Sequence, residues 1–320
     1  VWIMWGVLVK YMKEFGFNFG MTEGLFPGTN AYNTALAEVN NLYYSLPAIA
    51  GLAGATLRLP NSFLISIGGG RNVVFITTAL LLIPAIGTGV ALSNINSPYL
   101  LFASMALLSG FGGGNFSSSM SNISFFFPKK KQGYALGMNA GLGNLGVGAM
   151  QFLIPIVVKF AVFGGTVGAI ATAKGAPFEG FQNAAWLWVP LIAITTIVAF
   201  FRMNNVSTGT PSLPNTAQGV GKTLYMLVLG LLAAGLGAFM LIGIPWGDFG
   251  MKSASMWIVL PIVIIVAVVL MKYATPSEIK GNLKNQFSIL GDKHNWIMTI
   301  IYTMPFGSFI GYSMVFPKLA

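Results

Sequence analysis

An all-α polytopic membrane protein is the fold class this sequence predicts, and three observations predict it. Of the 320 residues, 55% are apolar and only 8% are charged, against roughly a quarter charged in a soluble domain. About nine apolar stretches follow one another along the chain, most of them near the ~20 residues that span a bilayer at about 1.5 Å rise per residue. The third observation is chemical scarcity: 7 Asp plus Glu, a single histidine (His294) and no cysteine. That inventory excludes thiol catalysis, disulfides and Cys-based metal sites, and leaves too few ligands for a metalloenzyme. No metal and no cofactor is expected. The net charge of +10 reads as a topology signal on such a composition, and nucleic acid is not an expected partner.

The segments lie near 1–13, 40–67, 73–93, 98–127, 133–159, 184–202, 223–245, 255–272 and 294–316. The first opens inside an apolar run without a methionine, so it is read as a helix lacking its start, in a chain whose C-terminal portion lies beyond Ala320. If the segments alternate in direction, one side receives Arg71, Lys129, Lys130, Lys131, Arg202, Lys222, Lys272, Lys280, Lys284 and Lys293. The other receives Lys10, Lys13, Lys159, Lys174, Lys252 and Lys318. Positive charge is enriched on the cytoplasmic side of a membrane. The richer side is therefore assigned inside, which starts the chain in the cytoplasm of a cell with the protein in its inner membrane, and turns the polar stretch 16–33 outward.

Arg58 breaks the pattern of peripheral charge. It sits in GATLRLPNSF, ten residues before the loop glycine Gly68, or about 15 Å of helix. An arginine so deep costs about 2.5–3.5 kcal/mol on insertion scales, and by default it faces the bundle interior or a wet cavity with a task to perform. A structural ion pair is the plain alternative. Yet Glu14, Glu23, Glu38, Glu179, Asp248, Glu278 and Asp292 all fall in loops or at helix ends. What an unpaired guanidinium can bind is an anion, and its planar fork suits a planar oxyanion.

The run GFGGGNFSSSMSNISFFFPKKKQGYALGMNAGLGNLGVGAMQ, 110–151, is dense in Gly, Ser and Asn. It lacks the spacing and strand–helix context of a phosphate loop. Close helix packing explains most of its glycines: Gly133, Gly137 and Gly141 repeat every four residues, with Gly143 and Gly146 on a neighbouring ridge. Asn115, Asn122, Asn139 and Asn144 each bring an amide that hydrocarbon does not hydrate, so each bonds across helices or, for Asn144, donates to a bound oxyanion. The last segment repeats the design, with Tyr302 and Phe306 one turn apart on one face and Gly307 and Gly311 as a small pair. These two aromatics lie nearer mid-segment than Trp296, which suits an interfacial belt better.

An arginine in the second segment followed by Pro and Ser-Phe, the stretch 110–151, and FGSFIGYS in the last segment together resemble the nitrate/nitrite porters of the major facilitator superfamily, the NarK type. The stretch looks like the first of that family's two nitrate signatures. The resemblance runs from about Trp2 to Pro317. It implies a partial major-facilitator fold in which two arginines from pseudo-symmetric halves clamp a midplane anion between aromatic rings. By motif, Arg58 matches the first-half arginine, Phe116 in GGGNFSSS a sandwiching aromatic, Asn144 in GLGN a polar contact, and Tyr302 and Phe306 the aromatics of the seventh family helix. Ala140 stands where the family has glycine, which narrows the site by a methyl group.

The second-half arginine and second signature are expected beyond Ala320. About ninety residues with two apolar segments interrupt the family pattern between the sixth and seventh helices. The implied organisation is a six-helix bundle over 1–202, an inserted hairpin at the periphery over 203–293, and the first helix of a second bundle over 294–320. The implied function is secondary transport of nitrate and nitrite across the cytoplasmic membrane by alternating access, as a monomer and without enzymatic activity. Exchange is favoured over proton symport, because symport ordinarily needs an intramembrane Asp, Glu or His relay. A nitrate/proton symporter, a porter of another small anion, and a non-transporting sensor or scaffold are the alternatives. A membrane enzyme is the weakest, since no paired carboxylates, metal cluster or activated nucleophile can be assembled.

Overall fold

The computed structural model describes residues 1–22, 24–160, 162–163, 170–171, 177–178, 180–210, 214–242 and 253–319. The expected positions of Glu23, Lys174, Glu179, Asp248 and Lys252 lie outside the described residues. Helices dominate: α1 Trp5–Glu14, α2 Asn30–Gly68, α3 Gly70–Leu80, α4 Leu82–Leu92, α5 Tyr99–Phe126 and α6 Lys129–Val157. A two-residue antiparallel pair, β1 Ile170–Ala171 with β2 Pro177–Phe178, precedes α7 Asn183–Trp186 and α8 Trp188–Arg202. Then come α9 Thr216–Ile242, α10 Ser253–Tyr273, α11 Ser277–Gln286, a short 3-10 turn at Phe287–Gly291, and α12 Lys293–Leu319.

Each predicted apolar stretch overlaps a helix among the described residues. Six spans among the described residues are long and apolar enough to cross a membrane, with the broken pairs α3/α4 and α7/α8 each serving as one. The helix pair from Trp257 to Gly291, bent by 120°, would make a seventh. In α1 only ten residues are helical, and α12 does not meet the same test.

The largest departure from the expected boundaries is α2, whose 39 residues begin ten positions before the apolar stretch. Thr29 caps the start, its hydroxyl accepting from the Tyr32 amide at 3.2 Å. Helix signals in AYNTALAEVNN therefore carry the helix on into water, about 58 Å in all. Hydropathy marks only the part inside the ~30 Å hydrocarbon core. At its other end Gly69 adopts φ 85°, which a side chain would resist, and turns the chain straight into α3. Asn205 accepts from the Arg71 amide at 2.9 Å and ties this corner to the end of α8.

Without a hydrophobic drive between helices in lipid, close backbone approach and hydrogen bonds must hold the bundle. The α2–α5 contact shows how. A Cβ on Gly110 would sit 2.6 Å from the Ala53 Cβ, one on Gly113 2.7 Å from the Gly54 Cα, and one on Gly114 2.6 Å from the Asn61 amide nitrogen. Only glycine permits that approach. Asn61 also donates to the Leu57 carbonyl at 2.7 Å and Ser62 to the Arg58 carbonyl at 2.8 Å, beside Pro60, which has no N–H to give.

A second seam joins α9 to α2. Gly219, Thr223, Met226, Gly230, Ala233 and Gly237 are all buried at alternating spacings of four and three. A Cβ on Gly230 would meet Leu57 and Pro60 at 2.9 Å, and one on Gly237 would meet Leu52 at 2.6 Å. At about 100° per residue, Leu52 and Pro60 lie on the side of α2 away from Arg58. Helix α10 packs on α9 through Val259, Val263 and Ala267, all buried with Leu52, Ala233 and Leu241 in one cluster.

Among the described residues, the glycines expected to pack helices meet no neighbouring helix. A Cβ on Gly133, Gly137, Gly141, Gly143, Gly146, Gly307 or Gly311 would meet nothing within 4 Å. Gly143 and Gly146 instead line a cavity of about 260 Å³ with Trp2, Gly112, Met150 and Trp188. The reason is placement: the stripe of Gly133, Gly137 and Gly141 has no helix against it among the described residues, and repeat spacing alone does not say which face a partner will occupy.

Candidate functional site

The tight α2–α5 crossing places the backbone of Gly113 beside Arg58, whose Nε donates to the Gly113 carbonyl at 3.2 Å. That bond orients the guanidinium and leaves its outer nitrogens available. Three residues farther along α5, Phe116 presents its ring with its centroid 5.1 Å from Arg58 Cζ. Phe306, from α12, lies 4.5 Å from the same atom. The two rings are nearly parallel, 25° apart in plane with centroids 6.1 Å apart, and Tyr302 stacks on Phe306 at 5.1 Å. Arg58, Phe116, Tyr302 and Phe306 thus form one cluster from three helices.

The sequence gives no hint of the fourth ring. Trp2 lies 5.6 Å from Arg58 Cζ and donates its indole N–H to the Ala50 carbonyl at 2.6 Å. Its indole occupies a notch made by Gly54 and Gly113, where a Cβ on either glycine would come within 3 Å of the ring. A residue four positions before Arg58 on α2 and one in GFGGGN jointly make that notch; only folding brings Trp2 to it.

Two predicted site residues stand apart. Asn144 is exposed on α6 without a hydrogen-bond partner among the described residues, and Ala140 is half-buried on the same helix. The other asparagines follow the interhelical reading in part. Asn115 accepts from Thr77 at 3.0 Å, bridging α5 to α3, and Asn139 donates to Ser119 at 3.1 Å, bridging α6 to α5.

Helix α12 reaches this cluster through a backbone contact with α1, where a Cβ on Gly6 would lie 2.4 Å from the Met314 carbonyl oxygen. Gln151 of α6 also donates to the Ser313 carbonyl at 3.3 Å. No described carboxylate lies within ion-pair distance of Arg58; the single ion pair among the described residues is Lys222–Glu278 at 3.2 Å. The charge is therefore held by ring faces and one carbonyl. Cation–π contacts of this kind contribute roughly 0.5–2 kcal/mol each, well short of a buried counter-charge.

The distances from Arg58 to the two phenylalanine centroids and between them form a triangle, so the guanidinium lies off the line that joins the two ring centres. A flat anion entering between the rings would need them about 7 Å apart, two contact distances of ~3.5 Å. With their centroids 6.1 Å apart, the rings have to part by about 1 Å or more to admit one.

No family model matches the chain. Its sequence is 41% identical over 233 residues to the nitrate/nitrite transporter NarU of Escherichia coli strain K12, covering 72% of this chain and 46% of that protein. It is 35% identical over 278 residues to the probable nitrate/nitrite antiporter NarK2 of Thermus thermophilus, covering 86% of this chain and 47% of the relative. Over most of its length the chain is a sequence relative of the NarK-type porters. A third relative, the probable nitrate transporter NarT of Staphylococcus carnosus strain TM300, is 33% identical over 154 residues, 48% of this chain and 34% of that protein. This NarK-type chain spans about half the length of the curated relatives it matches, and with its series of apolar helices it is an integral membrane protein.

Proposed function

We propose that this NarK-type protein carries nitrate and nitrite across the inner membrane by alternating access, as an exchanger. The observation that carries the reading is the Arg58 guanidinium, fixed by the Gly113 carbonyl, faced by Phe116 and Phe306 and free of any described counter-charge. Such a group attracts an anion, and its planar fork with flat ring faces favours a flat one. Relatives whose names are nitrate/nitrite transporter and probable nitrate/nitrite antiporter support the same choice of substrate.

In this reading each residue has a part in transport. Arg58 supplies charge and hydrogen bonds, Phe116 and Phe306 part to enclose the anion, Tyr302 adds a hydroxyl, and Asn144 and Ala140 close on the site from α6 as the halves rock. Two bundles moving about a midplane site are the general design of such carriers. The first bundle comprises 1–202, the second begins at 294, and 203–293 is an inserted hairpin beside the pathway. The cytoplasmic side is the one holding Arg71, Lys129–Lys131 and Arg202, and the protein works as a monomer without catalysis.

Exchange is favoured because Glu14, Glu38, Glu278, Asp292 and His294, the described acids and histidine, lie at helix ends, in the projecting start of α2 or in α11. None offers the intramembrane relay that proton coupling ordinarily uses. An incoming anion that replaces an outgoing one keeps the guanidinium compensated throughout. The test is nitrate entry into proteoliposomes of the full protein, with and without internal nitrite and with and without a pH gradient. Entry that needs internal nitrite and ignores the gradient is expected; entry into empty vesicles driven by the gradient would overturn exchange.

A further inference from the structure

The bend after α10 builds a second cavity that shares no residue with the Arg58 cluster. It encloses about 500 Å³ and is lined by Met271, Lys272, Ser277, Lys280, Gly281, Leu283, Lys284 and Phe287, within the roughly 300–1,000 Å³ that ligand pockets occupy. Its floor is apolar: Met271 and Leu283 are each 1% exposed. Its rim carries three exposed lysines, one from the last turn of α10 and two from α11.

Helix α11 is fixed in position. Ile279 and Leu283 sink into the cluster that holds Leu64 and Ile65 of α2. Asn282 donates to the Ser66 carbonyl at 3.3 Å, Gln286 donates to the Ser66 hydroxyl, and Phe287 meets Phe63 edge-on at 5.3 Å. The 120° bend turns it across the bundle instead of through it, the attitude of an interfacial amphipathic helix. The acid on this helix, Glu278, is engaged by Lys222 at 3.2 Å. Lys280 and Lys284 stand one turn apart, a like-charge pair that weakens a bare helix and that an anion between them would relieve.

We propose that this cavity binds an anionic phospholipid, its phosphate held by Lys272, Lys280 and Lys284 and an acyl chain lying over Met271, Leu283 and Phe287. The combination selects that chemistry. A free anion has no use for the apolar floor, and a zwitterionic lipid has no use for three lysines on one rim. Lysines that merely mark the cytoplasmic side need no hollow beneath them, whereas here Gly281 leaves it open, since a Cβ there would meet nothing within 4 Å.

The experiment counts phospholipid that stays with the full protein, by native mass spectrometry, after extraction from phosphatidylcholine vesicles containing phosphatidylglycerol. Retained phosphatidylglycerol is expected to exceed phosphatidylcholine and to fall roughly fivefold for each lysine lost in Lys280→Gln and Lys284→Gln. Gly281→Trp, which fills the cavity and keeps every charge, is expected to lose it as well. The triple change Lys129→Gln, Lys130→Gln, Lys131→Gln removes more charge elsewhere and should leave retention unchanged. Equal loss in that triple variant, full retention in Gly281→Trp, or displacement of the lipid by inorganic phosphate alone would overturn the proposal. Should the lysine variants fail to fold, Gly281→Trp decides by itself.

Discussion

Arg58 is worth more to this protein than its charge, because the Gly113 carbonyl and the Phe116 and Phe306 rings fix the plane of its fork. Lysine would keep the charge and lose the planar, two-pronged donor. Arg58→Lys is therefore expected to lower initial rates of nitrate uptake about ten- to a hundredfold, the equivalent of one or two charge-assisted hydrogen bonds, at equal protein in the vesicles. Trp2→Phe separates shape from hydrogen bonding at the neighbouring ring. It keeps an aromatic in the Gly54–Gly113 notch and removes the donor to the Ala50 carbonyl. Thermal unfolding in detergent should register a loss of about 1 kcal/mol, with uptake close to that of the parent protein. Arg58 was legible in the sequence because a charge deep in an apolar stretch is conspicuous in one dimension. Trp2 was not, since nothing local distinguishes it from an interfacial tryptophan.

Among the helices, the seams decide which glycines matter. On α9, Gly219 and Gly221 are two residues apart and face opposite fates: a Cβ at Gly219 would lie 2.4 Å from the Gly68 carbonyl oxygen, and one at Gly221 would meet nothing within 4 Å. Gly219→Ala is expected to cost about 1–3 kcal/mol through overpacking, while Gly221→Ala should be neutral or gain up to about 1 kcal/mol from a stiffer unfolded chain. Paired melting curves of the two variants check this directly, and equal behaviour would remove the seam from the account. The same distinction explains why the regular spacing of Gly133, Gly137 and Gly141 predicted a contact that the described residues do not make. A repeat of small residues specifies a smooth stripe, and the partner's position is set by where the neighbouring helices already lie.

For the protein as a membrane-embedded body, the proposed orientation makes a prediction that its composition renders simple to test. The chain has no cysteine, so single cysteines can be introduced without background. Lys130→Cys, in the first turn of α6, should react with a membrane-impermeant maleimide only from the cytoplasmic face. Asn96→Cys, in the short connection between α4 and α5, should react only from outside; the reverse pattern would invert the assignment. Between these faces, α9 clasps α2 on the side away from Arg58, and the aromatic cluster around Arg58 is completed by α5 and α12.

The membrane class, the run of apolar stretches, the depth of Arg58 and the aromatic pair in α12 were readable from residue order. Hydrocarbon accepts a long apolar helix because all its backbone bonds are internal, and a charge left inside one is by default functional or paired. Other features needed the folded chain. The extension of α2 into water rests on local capping that hydropathy does not register, and the bend at Tyr273–Ser277 turns an ordinary run of lysines into a lined cavity. The ring of Trp2, the carbonyl of Gly113 and the face of Phe306 meet one guanidinium from three distant parts of the chain. Side-chain type and spacing act along one dimension, whereas these contacts depend on how closely two backbones can approach, and that closeness exists only once the helices have crossed.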